Sequence, residues 1–158
     1  MTSSVVFVCT GNICRSPTAE GIFRKLVDGA GLSERITVDS AGTHDYHVGE
    51  PPDARAVGAA ARRGYDLSWL RARKFQREDF QRFDLVLAMD HDNHGVLARL
   101  AQPSGGHRLR MMMEYASHFQ EIEVPDPYYG GPDGFDRVID MLEDAAQGLL
   151  ESIRAGLK

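Results

Sequence analysis

The sequence predicts an α/β fold, a parallel sheet with both faces covered by helices. Three observations carry that expectation. Short β-branched apolar runs recur along the chain, and most are followed by stretches whose apolar residues return with helical spacing. The first of these runs is apolar throughout rather than alternating, as strands buried on both faces are. With 158 residues, 42% hydrophobic and 26% charged, the chain holds material for one full core and little for a second. A single domain over residues 1–158 is therefore expected.

The elements follow in order. "VVFVC" at 5–9 reads as a buried strand, and Ala19, Ile22, Phe23, Leu26 and Val27 then mark a helix. "RITVDSAG" at 35–42 is a second β-branched run. A loop holding Gly49, Pro51 and Pro52 leads to an alanine-rich helix over about 53–63. "DLVLAMD" at 84–90 is the third strand, with a helix over about 93–100, and "HRLRMM" at 107–112 is a weaker fourth. Residues 102–106 read as a loop. From about 133 onward, Val138, Ile139, Leu142, Ala146, Leu149, Leu150 and Ile153 form the apolar stripe of an amphipathic helix. Strands alternating with helices give a parallel sheet, and ligands of such sheets bind beyond the carboxyl ends of the strands, where Cys9, Ser40 and Asp90 fall.

Composition narrows the partners. A net charge of −5 makes no electrostatic case for nucleic acid, and no stretch approaches the roughly 20 apolar residues of a membrane span. Both cysteines lie within "CTGNICRS" at 9–16, which is no disulfide scaffold and suits a cytoplasmic protein using its thiols chemically. His44, His47, His91, His94, His107 and His118 have no metal-ligand spacing, so neither metal nor other cofactor is expected. Met111 to Met113 read as core filling.

The segment "CTGNICRS" can be read physically. A loop between a strand and a helix start turns backbone N–H groups and the positive helix end toward one spot, which attracts a tetrahedral oxyanion. Thr10, Gly11, Asn12, Ile13, Cys14, Arg15 and Ser16 form that loop. Gly11 and Asn12 accept left-handed backbone angles, and Arg15 brings a planar fork that holds two oxygens at once. The same field favours a thiolate at Cys9. The Gly-Lys-Ser/Thr ending of nucleotide-binding loops is absent, and only Cys9 could supply a nucleophile.

These residues resemble a known family, the low-molecular-weight protein tyrosine phosphatases, whose signature is similar to "VCTGNICRSPTAE" at 8–20. The likeness continues in "VDSAGT" at 38–43, "GEPPDARA" at 49–56, "FDLVLAMD" at 83–90 and "VPDPYYGG" at 124–131. It implies a four-stranded parallel sheet with the phosphate-binding loop between the first strand and first helix. It further implies a phosphotyrosine phosphatase acting through a phosphocysteine, with Cys9 as nucleophile, Arg15 as phosphate clamp and Asp126 as general acid. Ser16, Asn12 and Ser40 match supporting residues, and Tyr46, Tyr128 and Tyr129 match the walls of the substrate cleft. A carboxylic acid between Pro125 and Pro127 can be held at a departing phenolate oxygen, although an isolated Asp-Pro is more commonly only a turn. The resemblance implies phosphotyrosine proteins as substrates, among them an autophosphorylating tyrosine kinase, with inorganic phosphate as product and inhibitor.

One position departs from the pattern. Within "DLSWLRARK" at 66–74, Leu70 stands where many members carry a histidine that braces the loop asparagine, so that brace is expected to be missing, with Asn12 either held otherwise or less rigid. Two other readings are weaker. An arsenate reductase of similar fold needs further cysteines after Cys14, and there are none. A non-catalytic phosphate-binding module would be expected to have lost Cys9, Arg15 or Asp126. Finally, a thiolate nucleophile is readily oxidised, and Cys14 could capture a sulfenic acid on Cys9 as a reversible disulfide, which the resemblance also implies.

Overall fold

The computed structural model describes residues 1–101, 105–131 and 133–157, apart from the side chain of Tyr129. Four strands, β1 (Ser3–Cys9), β2 (Ile36–Gly42), β3 (Leu85–Ala88) and β4 (Leu109–Met111), form one sheet in the order β2-β1-β3-β4. Every neighbouring pair is parallel, with Val5 opposite both Val38 and Leu85, and Val86 opposite Leu109.

The period of two along β1 explains its unbroken apolar run. Val5, Phe7 and Cys9 enter a core shared with α1 (Arg15–Gly29), α2 (Ala54–Ala61) and α5 (Asp133–Leu157). Val6 and Val8 face a second core, built with Phe80 of α3 (Asp79–Arg82) and Leu97 of α4 (His91–Ala101). Both faces are dry from Val5 to Cys9, so every side chain of that stretch is apolar. Met112 and Met113 are buried in the larger core, as expected.

Several boundaries differ from the sequence expectation. The alanine-rich helix begins at Ala54 because Asp53 caps it, its side chain accepting the Arg55 N–H at 2.8 Å. It ends at Ala61, short of 63, and the chain reverses at Gly64 with φ 88°. β4 has three residues, not six, since His107 and Arg108 belong to a 3₁₀ turn at 106–108 and Met112 opens another at 112–115. α3 and the 3₁₀ turns at 112–115 and 127–129 were not foreseen; single turns are too short to establish a helical period. Of the loop expected at 102–106, residues 102–104 lie outside the described residues. Among those described, no helix is long and apolar enough to cross a membrane.

Candidate active site

Cys9 is the last residue of β1 and Arg15 the first of α1, so residues 10–14 must wrap tightly at the carboxyl edge of the sheet. Four of the carbonyls of residues 9–14 are held. Cys9 O accepts from Thr43 N–H at 2.8 Å, Thr10 O from His44 N–H at 3.0 Å, Ile13 O from Asp53 N–H at 2.9 Å and Cys14 O from the Thr18 hydroxyl at 2.6 Å. Among the described residues, the N–H groups of Gly11 to Cys14 donate to nothing. Peptide groups with satisfied carbonyls and unspent N–H groups make a nest for an anion. β2 must pass under this loop without a side chain, for a Cβ on Gly42 would lie 2.7 Å from Thr10 O.

Asn12 sits at φ 58°, alone in the left-handed region among the described non-glycine residues. Its side chain compensates that strain with three hydrogen bonds. Nδ2 donates to Ser16 Oγ at 2.7 Å and to Ser40 Oγ at 3.0 Å, and Oδ1 accepts the backbone N–H of Arg73 at 3.0 Å. The brace expected to be lost with Leu70 is thus replaced: Asn12 is held otherwise, by a main-chain donor, and Leu70 is buried in the core. The network continues outward, because the Ser40 hydroxyl donates to Glu20 Oε1 at 2.7 Å. Burial raises the Glu20 pKa, opposed by that hydrogen bond and by the single hydrogen bond and the charge of Arg24.

Ser16 is fully buried and lies within the helix instead of capping it; the N-cap position is Cys14, which makes no side-chain cap. Ser16 Oγ is 3.0 Å from Cys9 Sγ and 3.3 Å from Ala41 O, and it already accepts from Asn12. Its single proton is therefore available to the sulfur or to that more distant carbonyl.

Arg15 is only 2% exposed. Nη1 donates to Asp90 Oδ2 at 2.6 Å and to Val124 O at 3.0 Å, while Nη2 lies 3.8 Å from Asp126 Oδ2. Burial opposes its charge, yet Cys9, Asp90 and Asp126 outweigh burial and raise its pKa further. Its Nε is buried with no hydrogen-bond partner among the described residues. An unpaired buried donor costs about 1–3 kcal/mol, a cost an arriving anion would remove. Cys14 is buried with its thiol pushed up to about 12, chiefly by desolvation and then by the charges of Asp53, Cys9 and Asp126.

These groups line a cleft of about 200 Å³ that also exposes Asp126, Tyr46, Tyr128 and His47. Asp126 caps the turn at 127–129, its Oδ1 accepting Tyr128 N–H at 3.0 Å, which leaves Oδ2 on the Arg15 side. Tyr46 is stacked on His44 with ring centroids 5.0 Å apart. The side chain of Tyr129 lies outside the described residues. Sequence reasoning missed Asn93, whose Nδ2 donates to Thr10 Oγ1 at 3.1 Å, and the wall position of His47 against Gly11. It placed Asp90 at the strand end without seeing that it anchors Arg15. Among the described residues no group of three His, Cys, Asp or Glu is placed to hold a metal.

A buried arginine, a cysteine and an anion nest at the end of a parallel strand define a class of site that holds a phosphate beside a thiol. Comparison with known proteins agrees: residues 4–158 match the family model described as low molecular weight phosphotyrosine protein phosphatase. The low molecular weight protein-tyrosine-phosphatase of Streptomyces coelicolor is 46% identical over 157 residues, covering 98% of this chain and 95% of that protein. A crystal structure of protein tyrosine phosphatase from Entamoeba histolytica superposes with a TM-score of 0.95 at 39% identity, covering 99% of this chain and 100% of that one. YfkJ from Bacillus subtilis superposes with a TM-score of 0.94 at 36% identity, covering 100% and 98%. The chain belongs to the low molecular weight phosphotyrosine protein phosphatase family.

Proposed function

We propose that residues 1–158 form one phosphatase domain that hydrolyses phosphotyrosine in proteins through a phosphocysteine on Cys9. The observation that carries this reading is the buried Nε of Arg15, without a hydrogen-bond partner among the described residues, in a side chain that lines the cleft holding Cys9. The phosphoryl oxygens take the loop N–H groups of residues 11–14 and the Arg15 fork, and the Cys9 thiolate stands in line with the scissile bond. As Sγ bonds to phosphorus, the bond to the phenolic oxygen breaks, and Asp126 gives that oxygen its proton. Asp126 then takes a proton from water as the water attacks phosphorus, and the Ser16 hydroxyl steadies the thiolate that leaves. Inorganic phosphate is the product and competes for the same nest.

Tyr46 and Tyr128, the latter followed in sequence by Tyr129, line the approach to a nucleophile at the bottom of the cleft, which a long flat phosphotyrosine reaches better than phosphoserine does. The relative from Entamoeba histolytica carries Hepes, a sulfonate, in its active site, and a tetrahedral sulfur oxyanion suits the same nest. Two cysteines held as free thiols fit a reducing, cytoplasmic setting, where an autophosphorylating tyrosine kinase is a fitting substrate.

The test compares Asp126→Ala with wild type across aryl phosphates of graded leaving-group pKa. Loss of the acid should cost about 10²–10⁴ in kcat/KM for phenyl phosphate and far less for the most acidic phenols. A penalty independent of leaving group would make Asp126 a structural turn residue.

A further inference from the structure

Residues 124–131 carry Asp126 and Tyr128 to the cleft, so their posture decides whether acid and aromatic wall meet a substrate. One end of the segment is fixed by Val124, which donates its N–H to Met89 O at 2.8 Å and accepts from Arg15 at 3.0 Å. Beyond Asp126 the chain passes through the turn at 127–129, and there it meets Arg55 of α2. Arg55 Nη1 donates to Tyr128 O at 3.2 Å. The guanidinium also lies 5.2 Å from the Tyr128 ring centroid and 4.9 Å from that of Phe135. Its other two nitrogens grip Asp53, Nε to Oδ1 at 3.0 Å and Nη2 to Oδ2 at 2.9 Å. Asp53 in turn donates its N–H to Ile13 O of the phosphate loop at 2.9 Å. A continuous path therefore runs from the phosphate loop through Asp53 and Arg55 to a residue two positions from Asp126.

We propose that Arg55 is a positioning residue that holds the acid-bearing segment over the cleft and keeps it in register with the phosphate loop; this inference rests on the phosphatase reading. The residue type is demanding. Only a planar group with several donors can grip both oxygens of Asp53, give a further N–H to a carbonyl and present its face to two aromatic rings. A lysine can supply the charge but not the fork, and a methionine only the bulk. Without Arg55 the acid-bearing segment loses its tie to Asp53 and the phosphate loop, and Asp126 spends less time at the leaving oxygen. That fault should be felt in proportion to how much the leaving group needs a proton, which a general loosening of the fold would not reproduce.

The experiment measures kcat/KM over the same aryl phosphates for wild type, Arg55→Met, Arg55→Lys, Asp126→Ala and the double variant Arg55→Met/Asp126→Ala, with thermal melts for each. Arg55→Met should lose about tenfold for phenyl phosphate and little for the most acidic phenols, with Arg55→Lys between it and wild type. The double variant should be no worse than Asp126→Ala, because misplacing an absent acid costs nothing. A loss uniform across leaving groups, a multiplicative loss in the double variant, or wild-type kinetics in Arg55→Met would overturn the proposal. If Asp126→Ala itself shows no leaving-group dependence, the acid assignment fails first and carries the role of Arg55 down with it.

Discussion

The two cysteines of the loop are neighbours in sequence and opposites in chemistry. Both are buried; Cys9 lies beside the Ser16 hydroxyl, and the Cys14 thiol is pushed up to about 12. If Cys14 is the redox partner of Cys9, peroxide would convert Cys9 to a sulfenic acid, and Cys14, once deprotonated, would attack that sulfur, displace hydroxide and close a disulfide that dithiothreitol reduces. Because the Cys14 pKa is raised to about 12, its thiolate fraction grows tenfold per pH unit over the whole working range. The fraction of activity that dithiothreitol restores after peroxide should therefore rise between roughly pH 6 and 9 in wild type and stay low in Cys14→Ser. Recovery independent of pH, or equal in the two proteins, would make Cys14 a packing residue. At this scale the loop was legible because its chemistry is contiguous: residues 9–16 hold the nucleophile, the left-handed Asn12 and the clamp in one stretch. One of the three supports of Asn12 was not, since Leu70 pointed to a lost brace and its replacement is the backbone N–H of Arg73. A main-chain donor has no residue-type signature.

Among the elements, the long stretches were read well and the single turns were not. α5 advertises itself by seven apolar residues at helical spacing. β4 and the turns at 112–115 and 127–129 are decided by tertiary contacts. One of these contacts makes a sharp prediction. A Cβ on Gly148 of α5 would fall 1.9 Å from Tyr115 O, so Gly148→Ala must push the helix off the 112–115 turn. Gly58 lies inside α2, where a Cβ would touch nothing closer than the tip of Arg62 at 3.8 Å. In urea unfolding, Gly148→Ala should destabilise by about 1–3 kcal/mol, while Gly58→Ala should gain about 0.5–1 kcal/mol from helix propensity. Equal effects of the same sign would mean that the approach of Tyr115 to Gly148 does not constrain α5.

At the scale of the molecule, the parallel sheet explains why residues so far apart in sequence converge. Cys9 ends β1, Gly42 ends β2 with Ser40 two residues before it, and Asp90 follows β3, all toward the same carboxyl edge, with Val124 drawn to Met89 beside them. The strand ends were readable from pattern, which is why Cys9, Ser40 and Asp90 could be placed together in advance. The union of Asp126 with Arg15 could not be placed that way, because it depends on a segment of irregular backbone crossing the edge of the sheet. What unites the arrangement is one claim, that Cys9 carries the phosphoryl group between two half-reactions. Rapid acid quench of Asp126→Ala during turnover of p-nitrophenyl phosphate, a substrate whose acidic phenol leaves without help, tests it directly, since water attack on the intermediate loses its base. Peptide mapping by mass spectrometry should find one phosphoryl group per chain, on Cys9, absent from Cys9→Ser and from samples given inorganic phosphate alone. Turnover with no phosphorylated Cys9 at any quench time, or a phosphoryl group on another residue, would contradict the account.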